Sequence, residues 1–318
     1  MTTPEFSSII KKTTSPLKGI MPSIKTYKLS VKKRFEGLTI LDFYTKAMPS
    51  ISRDIWKEKI TSGNLTVAGK PVKTNRIVKA GEITQHSSHP IIEPPVNTNI
   101  ELLEWNNDFI VLNKPAPLPM HPSGRFEYNT LSEILKNAFP KEDFKLVHRI
   151  DANTTGLVVI AKNSKTANEL IEQFKNQTVQ KEYLALVEGL VQTKTFTLNK
   201  NIGKEITASG GRKVNKEGEV ASTTCKVLKK YPKKNQTLLS VIPHNGRTNQ
   251  IRIHLANTGF PIVGDIGYKD KAYFKNNPLT YKEDCLFLHA WKISFSHKNT
   301  TRIFIADVSK KFGISPVS

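Results

Sequence analysis

An aspartate stands near the middle of the chain, where a short polar turn meets a strongly apolar run. Asp151 follows Arg149 and precedes the polar residues 152–155. The next apolar run, 157–161, has the composition of a buried strand. Loops beside a rigid sheet often carry reactive side chains, and a carboxylate there can act as a nucleophile or as a base. An aspartate in such a turn can also be only a turn former. Asp151 is the candidate catalytic residue.

The stretch around this aspartate resembles the catalytic motif of a known family. Residues 148–156 read HRIDANTTG, which is similar to the HRLDxxTSG motif of the RluA-type RNA pseudouridine synthases, whose aspartate is catalytic. Ile150 replaces leucine and Thr155 replaces serine, and neither change removes a functional group. Pseudouridine formation breaks the glycosidic bond of a uridine, rotates the uracil and rejoins it through carbon, after the base has left its stack. The resemblance implies an isomerase in which Asp151 acts as nucleophile or base, without a cofactor.

Three further segments resemble motifs of the same family, in the same order. Residues 181–189 (KEYLALVEG) resemble KxYxAxVxG, residues 246–254 (GRTNQIRIH) resemble GRTHQLRxH, and residues 261–268 (PIVGDIGY) resemble PIxGDxxY. The main departure is Asn249, where the family usually has histidine. The resemblance therefore extends over most of the chain.

The resemblance also implies roles for side chains around the aspartate. Arg252 matches the arginine that pairs with it, and a guanidinium within about 4 to 6 Å would keep Asp151 ionised in a dry pocket. Tyr183 matches a tyrosine that packs against the target base, and Arg149 matches an arginine that enters the RNA where the uridine departs. By pattern alone, Tyr183 is a core aromatic of a strand and Arg252 fits an exposed helix position equally well. The further substrate contacts that we expect are His148, Thr155 and Arg247.

The pattern of helices and strands predicts an α+β core from residue 100 to residue 318. A helix is expected to begin at Thr130, and another carries the apolar residues of 167–174. After residue 181, strands dominate, and they are expected at 182–188, 219–229, 237–243, 287–295 and 301–306. We expect a mixed, mainly antiparallel sheet of the pseudouridine synthase type.

The charge of the chain favours a polyanionic partner. Its 48 lysines and arginines against 27 acidic residues give a net charge of +21. Cations that bind phosphates release counterions, so such an excess favours nucleic acid. The 318 residues, 38% of them hydrophobic, can bury a sizeable core, and no apolar run approaches the roughly 18 residues of a membrane helix. We expect a soluble, cytoplasmic monomer that binds structured RNA and no membrane.

The cysteines and histidines indicate neither a metal site nor a redox site. Cys225 and Cys285 do not form a C-x-x-C pair, and we expect both to be core residues. The glycine-rich segment 208–218 lacks the strand-to-helix context of a nucleotide-binding loop. His148 and His254 are expected to be structural residues. The sequence predicts no metal, no nucleotide and no other cofactor.

The N-terminal third divides into three segments. Residues 1–31 mix Ser, Thr, Pro and Lys without a long apolar run and predict a flexible arm. Residues 32–90 predict two short helices, the second capped by Ser52, and a small sheet. Residues 91–99, which contain Pro94 and Pro95 and follow Pro90, predict an extended linker.

The second of these segments resembles an S4 domain, a small RNA-binding module often found ahead of the catalytic domain in this family. Between Lys32 and Glu82 it has 11 basic and 5 acidic residues. Although a single lysine there is usually just solvated, the cluster favours RNA contact. The candidate phosphate contacts are Arg53, Lys57, Lys59, Lys70, Lys73 and Arg76.

Family association with this module favours ribosomal RNA of the large subunit as the substrate. The alternatives are the same chemistry on tRNA and a non-catalytic protein for RNA binding or ribosome assembly. The second alternative is disfavoured because Asp151, Tyr183 and Arg252 are all present.

Overall fold

A computed structural model of the chain describes residues 1–19, 24–49, 51–88, 92–124, 126–205, 211–269, 286–308 and 312. The chain divides into a smaller unit, Gly19–Glu93, and a larger unit formed by Met1–Lys18 with Pro94–Ser318. None of the described helices is both long and apolar enough to cross a membrane. Cys225 is buried, as expected, while Cys285 and positions 208–210 lie outside the described residues.

The first helix, α1 (Thr3–Thr13), belongs to the larger unit. It begins with a capping box, in which the Thr2 hydroxyl accepts the backbone N–H of Glu5 and the Glu5 carboxylate accepts the backbone N–H of Thr2. Phe6 and Ile10 lie one turn apart on one face, and both are buried. They join the apolar cluster that also contains residues of the large sheet.

This helix corrects the flexible arm predicted for residues 1–31. Phe6 stacks on Phe139 with ring centroids 5.4 Å apart, and Thr3 donates a hydrogen bond of 3.0 Å to the Leu102 carbonyl. The composition concealed these contacts, because two buried anchors on a short helix leave only a weak apolar pattern. The partners of both anchors lie about a hundred residues away in sequence.

The smaller unit packs two helices, each with a hydroxyl cap, against a four-stranded antiparallel sheet. Thr39 caps the first helix, and Ser52 caps the second, which confirms the predicted Ser52 cap. Tyr44 and Trp56 are fully buried between them. The elements are β1 (Thr26–Ser30), α2 (Ile40–Ala47), α3 (Arg53–Thr61), β2 (Leu65–Val67), β3 (Lys70–Pro71) and β4 (Ile83–Ser87), with strand order β1-β4-β2-β3.

Ten described strands of the larger unit form one sheet. In chain order they are β5 (Glu101–Trp105), β6 (Phe109–Lys114), β7 (Lys145–Leu146), β8 (Thr155–Ala161), β9 (Gln180–Glu188), β10 (Thr195–Asn199), β11 (Ser222–Tyr231), β12 (Gln236–Pro243), β13 (Leu288–His297) and β14 (Thr300–Ile305). The main path runs β10-β11-β12-β9-β13-β8-β6-β5, with β14 beside β13 and β7 beside β8. All described pairs are antiparallel except β13 with β8, which confirms the predicted α+β class.

The helices of the larger unit connect these strands. They are α1, α4 (Leu131–Ala138), α5 (Ser164–Lys175), α6 (Gln250–Asn257) and α7 (Ile266–Lys269). Thr130 caps α4, which confirms its predicted start. The five predicted strands are confirmed as β9, β11, β12, β13 and β14, with ends shifted by at most three residues. The segment predicted as a linker packs within the larger unit from Pro94 onward, since the Pro94 carbonyl accepts from Asn129.

The contact between β8 and β13 requires a glycine. Gly156 has a φ of +114°, and a Cβ at this position would lie 2.3 Å from the carbonyl oxygen of Ala290. Only glycine lets the two backbones approach this closely. The loop that carries Asp151 therefore enters the sheet at a position where the backbone has little freedom.

We expect Phe6→Ala to lower the free energy of unfolding of the larger unit by about 3 to 5 kcal/mol, because it leaves a cavity under α1. The exposed residue Lys11 on the same helix is the matched control, and Lys11→Ala should change that free energy by less than about 0.5 kcal/mol. Urea unfolding followed by circular dichroism measures both. Equal, small effects for the two variants would show that α1 does not hold the core.

Candidate active site

A pocket of about 460 Å³ opens beside the loop that carries Asp151. Its walls come from the residues before β8, the end of α5, the start of β9, the segment from the end of β12 into α6, and the start of β13. Its lining includes His148, Arg149, Asp151, Phe174, Lys181, Tyr183, Asn245, Arg247, Asn249 and Arg252. The structure thus brings together side chains that are up to about a hundred residues apart in sequence.

A buried lysine fixes the backbone of the loop that carries Asp151. Lys114 is fully buried, and its ammonium donates to the carbonyls of Leu118 at 2.9 Å and Ala152 at 3.1 Å. The Ala152 carbonyl also accepts the backbone N–H of Leu118 at 2.9 Å. These bonds fix the backbone next to Asp151. The Asp151 side chain itself stays 22% exposed and lines the pocket.

Arg252 lies between two carboxylates. Its Nε and Nη2 each donate to one oxygen of Asp265 at 2.8 Å, and its Nη1 lies 3.8 Å from Oδ2 of Asp151. Asp265 is almost completely buried, so this bidentate pair fixes the plane of the guanidinium. Burial alone would lower the pKa of Arg252, but the carboxylates of Asp265 and Asp151 raise it above its ordinary value. Arg252 is therefore a permanent cation beside Asp151.

The departure from the family motif at Asn249 lies in the same network. The side-chain oxygen Oδ1 of Asn249 accepts from Nη1 of Arg252 at 3.1 Å, and the side-chain nitrogen Nδ2 donates to the Tyr268 hydroxyl at 2.9 Å. The guanidinium carbon of Arg252 also lies 4.8 Å from the centre of the Tyr268 ring. Asparagine at this position thus links Arg252 to Tyr268.

Tyr183 lies on β9 and faces the pocket with part of its ring. The rest of the side chain packs against the two apolar clusters on that face of the sheet. Burial, and then the negative charge of Asp151, raises the pKa of Tyr183 above its ordinary range. The residue therefore remains a neutral phenol in the wall of the pocket.

His148 supports the loop from inside. Its Nε2 accepts the backbone N–H of Val159 in β8 at 2.9 Å, and its ring stacks on Phe174 with centroids 4.6 Å apart. Burial, and then the charge of Lys181, lowers the pKa of His148 to about 3. The ring is thus neutral and substitutes for a backbone acceptor along β8. Arg149, the next residue, is exposed at the pocket rim.

Two of the predicted substrate contacts, Thr155 and Arg247, interact with other side chains of the protein. Thr155 is buried and its hydroxyl lies 2.8 Å from Nδ1 of His289, so it joins β8 to β13 and does not line the pocket. Its prediction as a substrate contact is corrected for this reason. Arg247 lines the pocket but forms an ion pair of 2.9 Å with Glu219.

The six cations predicted to contact phosphate in the smaller unit fall into two groups. Lys59 is buried and donates to the Ser87 carbonyl at 2.6 Å, which removes it from the candidates. Arg53 pairs with Asp42, and Arg76 forms two hydrogen bonds with Glu82. The remaining three are exposed and have no ion pair with any described residue: Lys57, Lys70 and Lys73.

Sequence reasoning missed Lys181 and Asp265 as site residues. Both lie inside motifs that resemble the family, Lys181 at the start of KEYLALVEG and Asp265 within PIVGDIGY. The motif membership could have indicated them, but their partners could not be read from the sequence. Within the described part of the chain, no group of three His, Cys, Asp or Glu side chains is arranged to hold a metal ion.

Comparison with known proteins decides the family. Residues 108–257 match the family described as RNA pseudouridylate synthase. An RNA pseudouridine synthase of Aquifex aeolicus is 34% identical over 80% of this chain and 84% of its own length. The chain belongs to the RNA pseudouridine synthase family. It is therefore an isomerase.

Other relatives of this synthase agree with that assignment. The ribosomal large subunit pseudouridine synthase C of Vibrio vulnificus is 31% identical, over 86% of this chain and 89% of its own length. The solved structure of human RNA pseudouridylate synthase domain containing 1 superposes with a TM-score of 0.56 at 25% identity, covering 68% of the synthase and 86% of that chain. The fold and the sequence of the synthase thus point to the same family.

The neutral state of His148 makes the stability of the synthase depend on pH. The folded ring has a pKa of about 3, below the ordinary value near 6.5, so between these values the unfolded chain binds a proton that the folded chain does not. Stability from this residue is fully present above about pH 6.5 and is lost as the pH falls, at up to about 1.4 kcal/mol per pH unit.

We expect His148→Gln, which keeps an acceptor for Val159 but cannot titrate, to flatten this dependence. Urea unfolding at pH 7.5 and pH 5.0 should show the wild type losing more stability than the variant. Parallel losses in the two proteins would contradict the neutral buried ring.

Proposed function

We propose that this synthase converts specific uridines of large-subunit ribosomal RNA into pseudouridine, with Asp151 as the catalytic residue. The observation that carries the proposal is the pocket in which the Asp151 carboxylate, the Arg252 guanidinium and the Tyr183 ring meet. These are a carboxylate, a cation 3.8 Å from it, and an aromatic ring. The proposed reaction requires this set.

The base must leave the RNA before the chemistry takes place, because its glycosidic bond cannot be reached inside a helix. In the proposed complex the flipped uracil lies against Tyr183, whose neutral phenol offers a flat apolar face with one polar tip. Arg149, exposed at the rim, occupies the gap that the uridine leaves in the RNA. Asp151 then acts at the anomeric region of the ribose, either as nucleophile or as base.

The electrostatics of the pocket support this role of Asp151. The Arg252 guanidinium lies 3.8 Å from the Asp151 carboxylate, close enough to stabilise negative charge there. Asp265 holds the guanidinium in one orientation through two hydrogen bonds. Preorganisation of this kind needs no rearrangement at the moment of reaction.

Two observations support ribosomal RNA as the substrate. The Vibrio vulnificus relative is named as a synthase of the large ribosomal subunit. The smaller unit presents Lys57, Lys70 and Lys73 without carboxylate partners among the described residues, as an S4-like RNA-binding module would. A large structured RNA provides phosphates for such a unit as well as a target for the catalytic pocket.

The substrate is tested by mapping pseudouridines across all cellular RNA, through carbodiimide adducts, with and without the gene. Loss of signals at one or a few large-subunit positions is expected. Loss confined to tRNA would overturn the ribosomal assignment, and loss nowhere would favour a non-catalytic role.

We expect Asp151→Asn to abolish pseudouridine formation while RNA affinity changes by no more than about 3-fold, because the phosphate contacts come from lysines and arginines. The exposed Asp143, in the same loop region, is the matched control, and Asp143→Asn should retain full activity. Tritium release or adduct mapping measures turnover, and filter binding measures affinity. Turnover by the Asp151→Asn variant would refute the catalytic assignment.

Replacing Lys57, Lys70 and Lys73 together by Ala should weaken RNA binding and reduce the slope of log affinity against log salt by about 2, since each lost phosphate contact removes about 0.7 to 0.9 from it. Activity at saturating RNA should be unchanged. The control removes the same charge from three exposed lysines of the larger unit, Lys11, Lys12 and Lys165. An equal slope change in both triple variants would mean that the smaller unit makes no particular contact.

A further inference from the structure

Lys181 brings a second cation into the catalytic pocket. It lies on β9 two residues before Tyr183, so both side chains project from the same face of the strand. Both residues line the pocket that contains Asp151. The Lys181 ammonium lies 3.4 Å from the Asn245 carbonyl oxygen and 5.8 Å from the centre of the Phe174 ring.

This ammonium has no counter-ion among the residues that the structure describes. Among the described residues, no carboxylate oxygen lies within 4.0 Å of Lys181, whereas Arg252 pairs with Asp265 and Arg247 pairs with Glu219. Removing an ammonium from water without a charged partner is costly. Burial accordingly lowers the pKa of Lys181. A protein retains such a group where a ligand supplies the missing negative charge.

The surroundings of Lys181 keep it available to a ligand. His148, which stacks on the same Phe174 ring, is held neutral by the Val159 N–H and adds no charge there. Gly246 leaves open space next to the ammonium, because even an added Cβ would lie 4.0 Å from Nζ. A weak carbonyl contact and an aromatic ring therefore position the ammonium without neutralising it.

The phosphodiester groups are the negative charges of RNA. A uridine that flips into the pocket brings the phosphates on its two sides with it. We propose that Lys181 binds a phosphate directly adjacent to the target uridine and so holds the flipped nucleotide in register with Asp151. This inference rests on the proposed function, and it assigns to Lys181 the recognition of a nucleotide within a chain, as distinct from a free nucleoside.

The proposal is tested by a double-mutant cycle, in which the positive charge of Lys181 and the negative charge of one phosphate are removed separately and together. The protein variants are Lys181→Met, which keeps the length of the side chain, and Lys181→Arg, which keeps the charge. The RNA is a fragment that contains a uridine modified in the cellular map, made with either ordinary linkages or one neutral methylphosphonate linkage on the 5′ or the 3′ side of that uridine. Turnover and binding are both measured for each combination.

On ordinary RNA we expect Lys181→Met to lower kcat/KM by about 10- to 100-fold, and Lys181→Arg to restore most of it. For the wild type, a neutral linkage on one side should cause a loss of the same size. In Lys181→Met that linkage should cause no further loss, because the charge that it would have met is already gone. The control is Lys230→Met, which changes an exposed lysine of β11. This variant should keep the kcat/KM of the wild type on ordinary RNA and should lose as much as the wild type when the linkage is neutral.

If each neutral linkage lowers kcat/KM in Lys181→Met by the same factor as in the wild type, the proposal is overturned and Lys181 is a structural residue. If the wild type binds the ordinary RNA without forming pseudouridine, the proposed function is refuted instead. The binding affinities of the same combinations would then still show whether the Lys181 ammonium contacts the phosphate.

Discussion

The buried ion pair of Arg252 with Asp265 is the interaction on which the site depends. A guanidinium inside a protein needs hydrogen-bonded carboxylates to offset the loss of water. Asp265 takes two of its donors and is nearly fully buried. The remaining nitrogen, Nη1, donates to Asn249 and lies 3.8 Å from Asp151. One cation therefore links α6, the segment before α7 and the loop that carries Asp151.

The large sheet places these segments in reach of one another. The loop before β8 is fixed at one end by the close approach at Gly156 and along its length by Lys114 and His148. The opposite wall comes from β9 and from the turn after β12, and β9 and β12 are neighbours in the sheet. The sheet thus supplies part of the pocket wall and anchors the loops that supply the rest.

The distinction between paired and unpaired cations separates structure from recognition in this basic protein. Lys57 and Lys59 are two residues apart on one helix, yet Lys57 is exposed while Lys59 is buried against a backbone carbonyl. In the pocket, Arg252 has carboxylate partners and Lys181 has none among the described residues. The count of 48 lysines and arginines therefore overstates the number of groups that can meet phosphate.

The sequence by itself determined the family, the catalytic candidate and most of the secondary structure. Caps such as Ser52 and Thr130, and the apolar run after Asp151, act over a few residues, so their pattern is legible without a fold. The tertiary structure alone decided that Thr155 faces His289, that Phe6 anchors α1 in the core, and that Lys181 has no counter-ion within the described part of the chain. Each of these depends on contact between segments far apart in the chain, and such contacts leave no local period or spacing to read.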